Sequence, residues 1–101
     1  MAAKTMLIPS SRQVMEFIGN IPYGSSVTLK ALRTQLAADS NADTTCPFAA
    51  GQIWKALAEV SELEGPDLPW WRVTVDGKPS PKTPGGIEMH RVRLMEEGVT
   101  I

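Results

Sequence analysis

Apolar positions along the chain fall into runs of helical spacing separated by polar or Pro/Gly-rich breaks. Val14, Phe17 and Ile18 recur at intervals of three and four, which places them on one face of a helix. Ser10 or Ser11 offers a hydroxyl to the unpaired N–H groups at its start, so a first helix is expected through about Gly19. Ile21-Pro22-Tyr23-Gly24 then breaks the pattern, because Pro and Gly punctuate turns. Thr28 is placed to cap a second helix over residues 29–38, with Leu29, Leu32 and Leu36 on one face. Residues 39–46 are polar and read as a loop.

Pro47 suits the first turn of a third helix, where its missing N–H costs nothing. That helix is expected to run to about Leu63, with Ile53, Leu57 and Val60 as its apolar stripe, Trp54 at the edge, and Gly65-Pro66 as its end. Residues 71–75 read as a strand, followed by Asp76-Gly77 as a tight turn. A Pro/Gly-rich loop over residues 78–86 leads to a last helix over residues 87–97. Met89 or His90, Val92 and Leu94-Met95 are available to pack it, and Gly98 is placed to end it in a left-handed conformation. Three helices, a short strand-and-turn wing and a fourth helix give an α+β, mostly helical chain. The order is that of a winged helix-turn-helix, whose third helix enters the major groove of DNA.

The 101 residues have room for one modest core, taken as a single domain over residues 1–101. No apolar run of membrane-spanning length occurs, and the segment MAAKTMLIPSS is too weak for a signal peptide. A cytoplasmic location is expected, nucleoid-associated in a bacterium or nuclear in a eukaryote. One cysteine and one histidine leave no basis for a disulfide, a Cys-rich zinc site or a His-based metal site, and no cofactor is expected. A net charge of −1 counts against a general nucleic-acid coat, since phosphate contacts need cations. It leaves room for a local basic face.

The most unusual stretch is Leu68-Pro69-Trp70-Trp71-Arg72-Val73, which holds two of the three tryptophans. On a strand the two indoles point to opposite faces, so at most one is expected in the core. Arg72 reads either as an ion-pair partner for a carboxylate of the last helix or as a ligand contact.

Taken in order, Ile21-Pro22-Tyr23-Gly24, Val27-Thr28, Pro69-x-x-Arg72-Val73, Gly85-Gly86-Ile87 and Glu96-Glu97-Gly98-Val99 resemble the DNA-binding domain of the O6-alkylguanine-DNA alkyltransferases. The resemblance extends from about Arg12 to Val99. Those enzymes carry Pro-Cys-His-Arg-Val, with the cysteine as alkyl acceptor. Here Trp70 stands at the cysteine and Trp71 at the histidine that activates it. Thiolate chemistry needs a sulfur and a base, and an indole supplies neither. Cys46 lies before the third helix with no histidine near it in sequence, so no enzymatic activity is expected.

A tryptophan at the nucleophile is similar to the alkyltransferase-like branch of the family. The resemblance implies non-enzymatic binding of double-stranded DNA, alkylated DNA included, by a monomer that extrudes the O6-alkylguanine base and passes the lesion to nucleotide excision repair proteins. It implies that Thr28 and Lys30 hold phosphate, that Phe48, Ala49, Gly51, Gln52 and Lys55 of the third helix face DNA, and that Pro69, Trp70, Trp71, Arg72, Val73, Gly85 and Gly86 surround the extruded base.

Two positions depart from the family. Leu29 stands where it has a tyrosine against the phosphate, and Phe48 where it has the arginine that fills the gap left by the base. A phenyl ring can wedge between base steps; the alternative is that Phe48 is a core residue. Gln52 and Lys55 read equally as solvated positions, Gly51 as a site of tight helix packing, and Gly85-Gly86 as a simple flexible loop. His90 reads as surface or half-buried. The alternative function is a winged-helix regulator or protein-interaction module that has lost lesion recognition.

Overall fold

In a computed structural model the described residues are 5–64 and 68–99. The Gly65-Pro66 stop signal and Asp67 lie outside them. The elements are β1 (Met6–Leu7), α1 (Ser11–Gly19), β2 (Val27–Thr28), α2 (Leu29–Asp39), β3 (Thr44–Thr45), α3 (Pro47–Glu64), β4 (Val73–Thr74) and α4 (Gly86–Glu96), with a 3-10 turn over Trp70–Arg72. The protein is therefore a small α+β chain, mostly helical. No helix among the described residues is long and apolar enough to cross a membrane.

The helix starts follow their caps. Ser10 accepts from the Gln13 N–H at 3.1 Å while the Gln13 side chain accepts from the Ser10 N–H at 2.9 Å, a reciprocal pair that satisfies two orphan donors. Thr28 accepts from the Ala31 N–H at 3.1 Å. At the far end Gly98 takes φ +81° and donates to the Met95 carbonyl at 2.9 Å, closing α4 with the left-handed residue its position calls for.

The strands are two residues long and pair in parallel, β1 with β3 and β2 with β4. β1, β2 and β3 escaped the sequence reading, and β3 lies in the segment read as loop. Two-residue strands carry too few positions to show alternation. Asp76 and Gly77 both take positive φ, the backbone a tight primed turn requires. The turn joins only one antiparallel bridge, Val75 with Lys78.

The core gathers Val14 and Ile18 of α1, Leu32 and Leu36 of α2, Ala50, Trp54 and Ala58 of α3, Trp70, Trp71 and Val73, and Leu94 of α4. Two helices face it differently from the sequence expectation. On α3 the buried face is Ala50, Trp54, Ala58 and Ser61. Ile53 and Leu57 flank it, and Val60 is exposed. Trp54, expected at the edge, is the centre of the stripe. The alanines let α3 approach its neighbours, and the single indole fills the space, so the largest side chain outweighs the branched aliphatic ones in setting the helix rotation. On α4 only His90 and Leu94 are buried, while Met89, Val92 and Met95 are exposed.

Candidate functional site

Trp70 and Trp71 do not lie on a strand. The Trp70 N–H donates to the Leu68 carbonyl at 2.8 Å and the Arg72 N–H to the Pro69 carbonyl at 3.1 Å, so the chain turns tightly there and β4 begins only at Val73. A turn does not alternate its side chains as a strand does, and both indoles point inward, at 0% and 9% exposure. The expectation that only one would be core is corrected accordingly.

Each indole N–H is matched to a carboxylate that is itself paired with an arginine. Trp70 Nε1 donates to Glu62 Oε1 at 3.2 Å, and Arg93 Nη2 donates to both Glu62 oxygens at 2.7 and 2.9 Å. Trp71 Nε1 donates to Glu97 Oε2 at 2.9 Å. Arg72 grips the same carboxylate through Nε at 2.8 Å and Nη2 at 2.9 Å, and donates from Nη1 to the Ile21 carbonyl at 2.8 Å. A buried Trp needs such a partner, because an unmade hydrogen bond leaves the full desolvation cost of its N–H. The arginines also cover rings: Arg93 stands 5.0 Å above Trp71 and Arg72 5.6 Å above Tyr23. The cluster thus ties α3, the turn at Ile21, the tryptophan turn and the end of α4 into one unit.

Burial pushes the Glu97 carboxyl up, but hydrogen bonds from Arg72, Trp71 and the Gly24 N–H, with the Arg72 charge, outweigh it and hold the group below its ordinary value. Of the two readings of Arg72, the ion pair with a carboxylate at the end of α4 is the one in place.

His90, expected at the surface or half-buried, is wholly buried. Its ring lies 5.3 Å from Trp70 and 6.1 Å from Trp54. Nδ1 accepts from the Ser80 N–H at 3.0 Å, so the proton sits on Nε2, which donates to the Trp71 carbonyl at 2.9 Å. Desolvation lowers its pKa, and hydrogen bonds to the backbone raise it only in part. His90 therefore pins the loop containing Ser80 against the tryptophan turn as a neutral ring. Sequence spacing gave no sign of this, since both partners are backbone groups remote in the chain.

The Pro69–Val73 set expected around an extruded base is brought together, but as packing. Trp70 and Val73 have no exposed surface, so neither lines an open pocket. Gly85 and Gly86 take φ +78° and +73° and shape the entry to α4. A Cβ on Gly85 would meet Met89 Cβ at 2.5 Å, so glycine there is required by contact as well as by backbone angle.

The α3 set has the opposite character. Phe48, Gln52 and Lys55 follow at intervals of four and three and share one face. Phe48 is 74% exposed, which overturns its reading as a core residue. Gln52 is exposed, Lys55, Gly51 and Ala49 are half-buried, and Lys30 on α2 is exposed. Gly51 is not forced by packing, because the nearest atom to an added Cβ is Leu29 Cδ2 at 3.8 Å, an ordinary contact. Thr28 already spends its hydroxyl oxygen as the cap of α2 and pairs with Thr74 across the strands. Thr74 Oγ1 is buried without a partner. Cys46 is a free, half-buried thiol before α3. No protein-family model, curated protein or solved structure matches the chain.

Proposed function

We propose that the chain is a non-enzymatic DNA-binding protein with a winged helix-turn-helix fold of the alkyltransferase-like type, and that α3 is laid against the duplex. The observation that carries this reading is Phe48. A phenyl ring on the first turn of a helix, 74% exposed, is held out of the core although aromatic side chains dominate small cores. It stands on the same face as Gln52 and Lys55. An apolar side chain so placed can enter a base step and unstack it, with Gln52 and Lys55 following along the groove and Lys30 on phosphate. With two lysines in contact, the salt dependence of binding is shallow, a logarithmic slope of about −2.

Recognition of an extruded O6-alkylguanine, with transfer of the lesion to nucleotide excision repair proteins, is the extended form of this proposal. It requires a pocket beside Trp70, whose ring is wholly buried. The loop held by His90 must lift and the Trp70 ring must turn out before a base can enter. Extrusion itself costs a few kcal/mol, and these rearrangements add to it.

The test is a fluorescence-anisotropy titration of two matched duplexes, one carrying a single O6-methylguanine, with the wild type and with Phe48→Ala. Binding of both duplexes that weakens on truncation of Phe48 supports the wedge. A tenfold preference for the lesion, about 1.4 kcal/mol, supports the extended form. Absence of binding to either duplex refutes the proposal.

A second reading, a protein-interaction module, is favoured by Val60 and Leu63, 48% and 86% exposed at the other end of α3. Those residues lie roughly 18 and 22 Å along the helix from Phe48 at 1.5 Å per residue, so they do not form one patch with it.

A further inference from the structure

A cleft of about 540 Å³ runs between α1 and α2, remote in sequence from the tryptophan turn. Its volume falls in the range of small-ligand sites. The floor is apolar, formed by Phe17, Val27 and Leu36, and the walls carry Glu16 on α1 and Asp39 on α2. No lysine or arginine lines it.

The polar groups around it include oxygens that can accept. Asn20 commits an N–H to the Glu16 carbonyl at 2.9 Å, and Gln35 commits one to Asp39 Oδ1 at 2.8 Å. Their carbonyl oxygens and Asp39 Oδ2 remain available. Both helices also end at the cleft, α1 at its Asn20 cap and α2 at Asp39 and Ser40, and neither carries a basic residue in its last turn. A helix C-terminus holds a partial negative charge, so two uncompensated ends add to the two carboxylates. Arg12 pairs with Glu16 at 3.9 Å in an exposed ion pair and does not line the cleft.

We infer that this cleft binds a linear diamine or polyamine, with the methylene chain over Phe17, Val27 and Leu36 and an ammonium group at each of Glu16 and Asp39. The chemistry selects this class among cations. A metal ion gains nothing from an apolar floor, and a monoamine leaves one carboxylate and one helix end unmatched. A neutral diol of the same length has no charge to offer.

The probes are 1,5-diaminopentane and spermidine, titrated into the 15N-labelled protein at about 0.1 M salt, where long-range attraction between exposed charges is screened beyond ~10 Å. Saturable shifts of the Gln13, Phe17, Gln35 and Leu36 amides are expected. The Glu16→Gln/Asp39→Asn variant should bind at least tenfold more weakly, and 1,5-pentanediol should not shift these amides. A Glu59→Gln/Glu64→Gln variant, changed at exposed carboxylates outside the cleft, should bind as the wild type does. Shifts that follow Glu59 and Glu64, equal binding by the diol, or no loss in the Glu16/Asp39 variant each overturn the inference. So does a titration with no shift at all.

Discussion

Replacing Glu97 by Gln is the sharpest test of what holds this fold together. The Glu97 side chain is 6% exposed and that of Arg72 is 14%. Two of the three Arg72 hydrogen bonds, and the Trp71 indole N–H, end on this carboxylate. A glutamine keeps the shape but removes the charge. It also turns an N–H group toward donors, which breaks at least one contact. Removing one partner of a buried pair costs about 3–5 kcal/mol, because the other charge is left without compensation, and this pair is only partly buried. Arg72 retains the Ile21 carbonyl and the Tyr23 face, which places the expected loss near the lower end, about 3 kcal/mol. At roughly 4–8 °C per kcal/mol for a domain of this size, the midpoint falls by about 12–24 °C in a calorimetric scan at neutral pH.

The pH profile gives an independent reading of the same group. The Glu97 carboxyl is depressed in the fold from an ordinary value of 4.5. Its contribution is therefore present above 4.5 and lost as pH falls through the lower folded value. Glu97→Gln should remove that part of the acid sensitivity while lowering stability at neutral pH. The double variant Arg72→Met/Glu97→Leu should recover much of the loss, since well-packed apolar pairs can replace buried ion pairs. A loss under about 1 kcal/mol for Glu97→Gln, the range of solvent-exposed pairs, would refute the account of this cluster as a lock.

Three further outcomes follow from the geometry. His90 is held neutral with a pKa below 6.5, so the unfolded chain binds its proton first and stability should fall as pH drops below about 6.5; His90→Gln should flatten that slope in urea titrations, with the Ser80 amide exchanging faster. Phe48→Ala should shift unfolding by less than about 0.5 kcal/mol, as exposed positions do, while weakening duplex binding in the anisotropy titration. Gly51→Ala should stabilise α3 by up to about 1 kcal/mol, because the added methyl meets only Leu29 Cδ2 at 3.8 Å; a measured destabilisation would show a packing constraint there.

The helices were legible because their signals are local. Ser10, Thr28, Pro47 and Gly98 act within a turn of their own position, and α1, α2 and α3 begin where those residues place them. What failed needed knowledge of distant partners. The rotation of α3 depends on Trp54 finding the Trp70 carbonyl at 3.0 Å, a contact between residues sixteen apart. The strands β1 and β2 exist only through pairing with β3 and β4, and two residues each are too short to announce themselves. Glu62 and Arg93 carried no signal of their pairing, because a sequence gives the number of charges but not their depth.

The tryptophan pair shows how a cluster can be legible in sequence while its packing is misread. The stretch from Pro69 to Val73 does form one cluster, and Arg72 does reach a carboxylate at the end of α4. Alternation along a strand was the wrong rule, because Pro69 begins a turn whose hydrogen bonds run from Trp70 to Leu68 and from Arg72 to Pro69. Once both indoles turn inward, each must satisfy an N–H in a place largely shielded from water, and Glu62 and Glu97 meet that need. Each carboxylate then needs a counter-charge, which Arg93 and Arg72 supply. Four charged side chains are thus placed by two ring nitrogens. The Trp70 ring is thus held on one edge by Glu62 and lies beside the His90 ring that accepts from the Ser80 N–H, so the burial of the pair and the placement of the four charges are one arrangement.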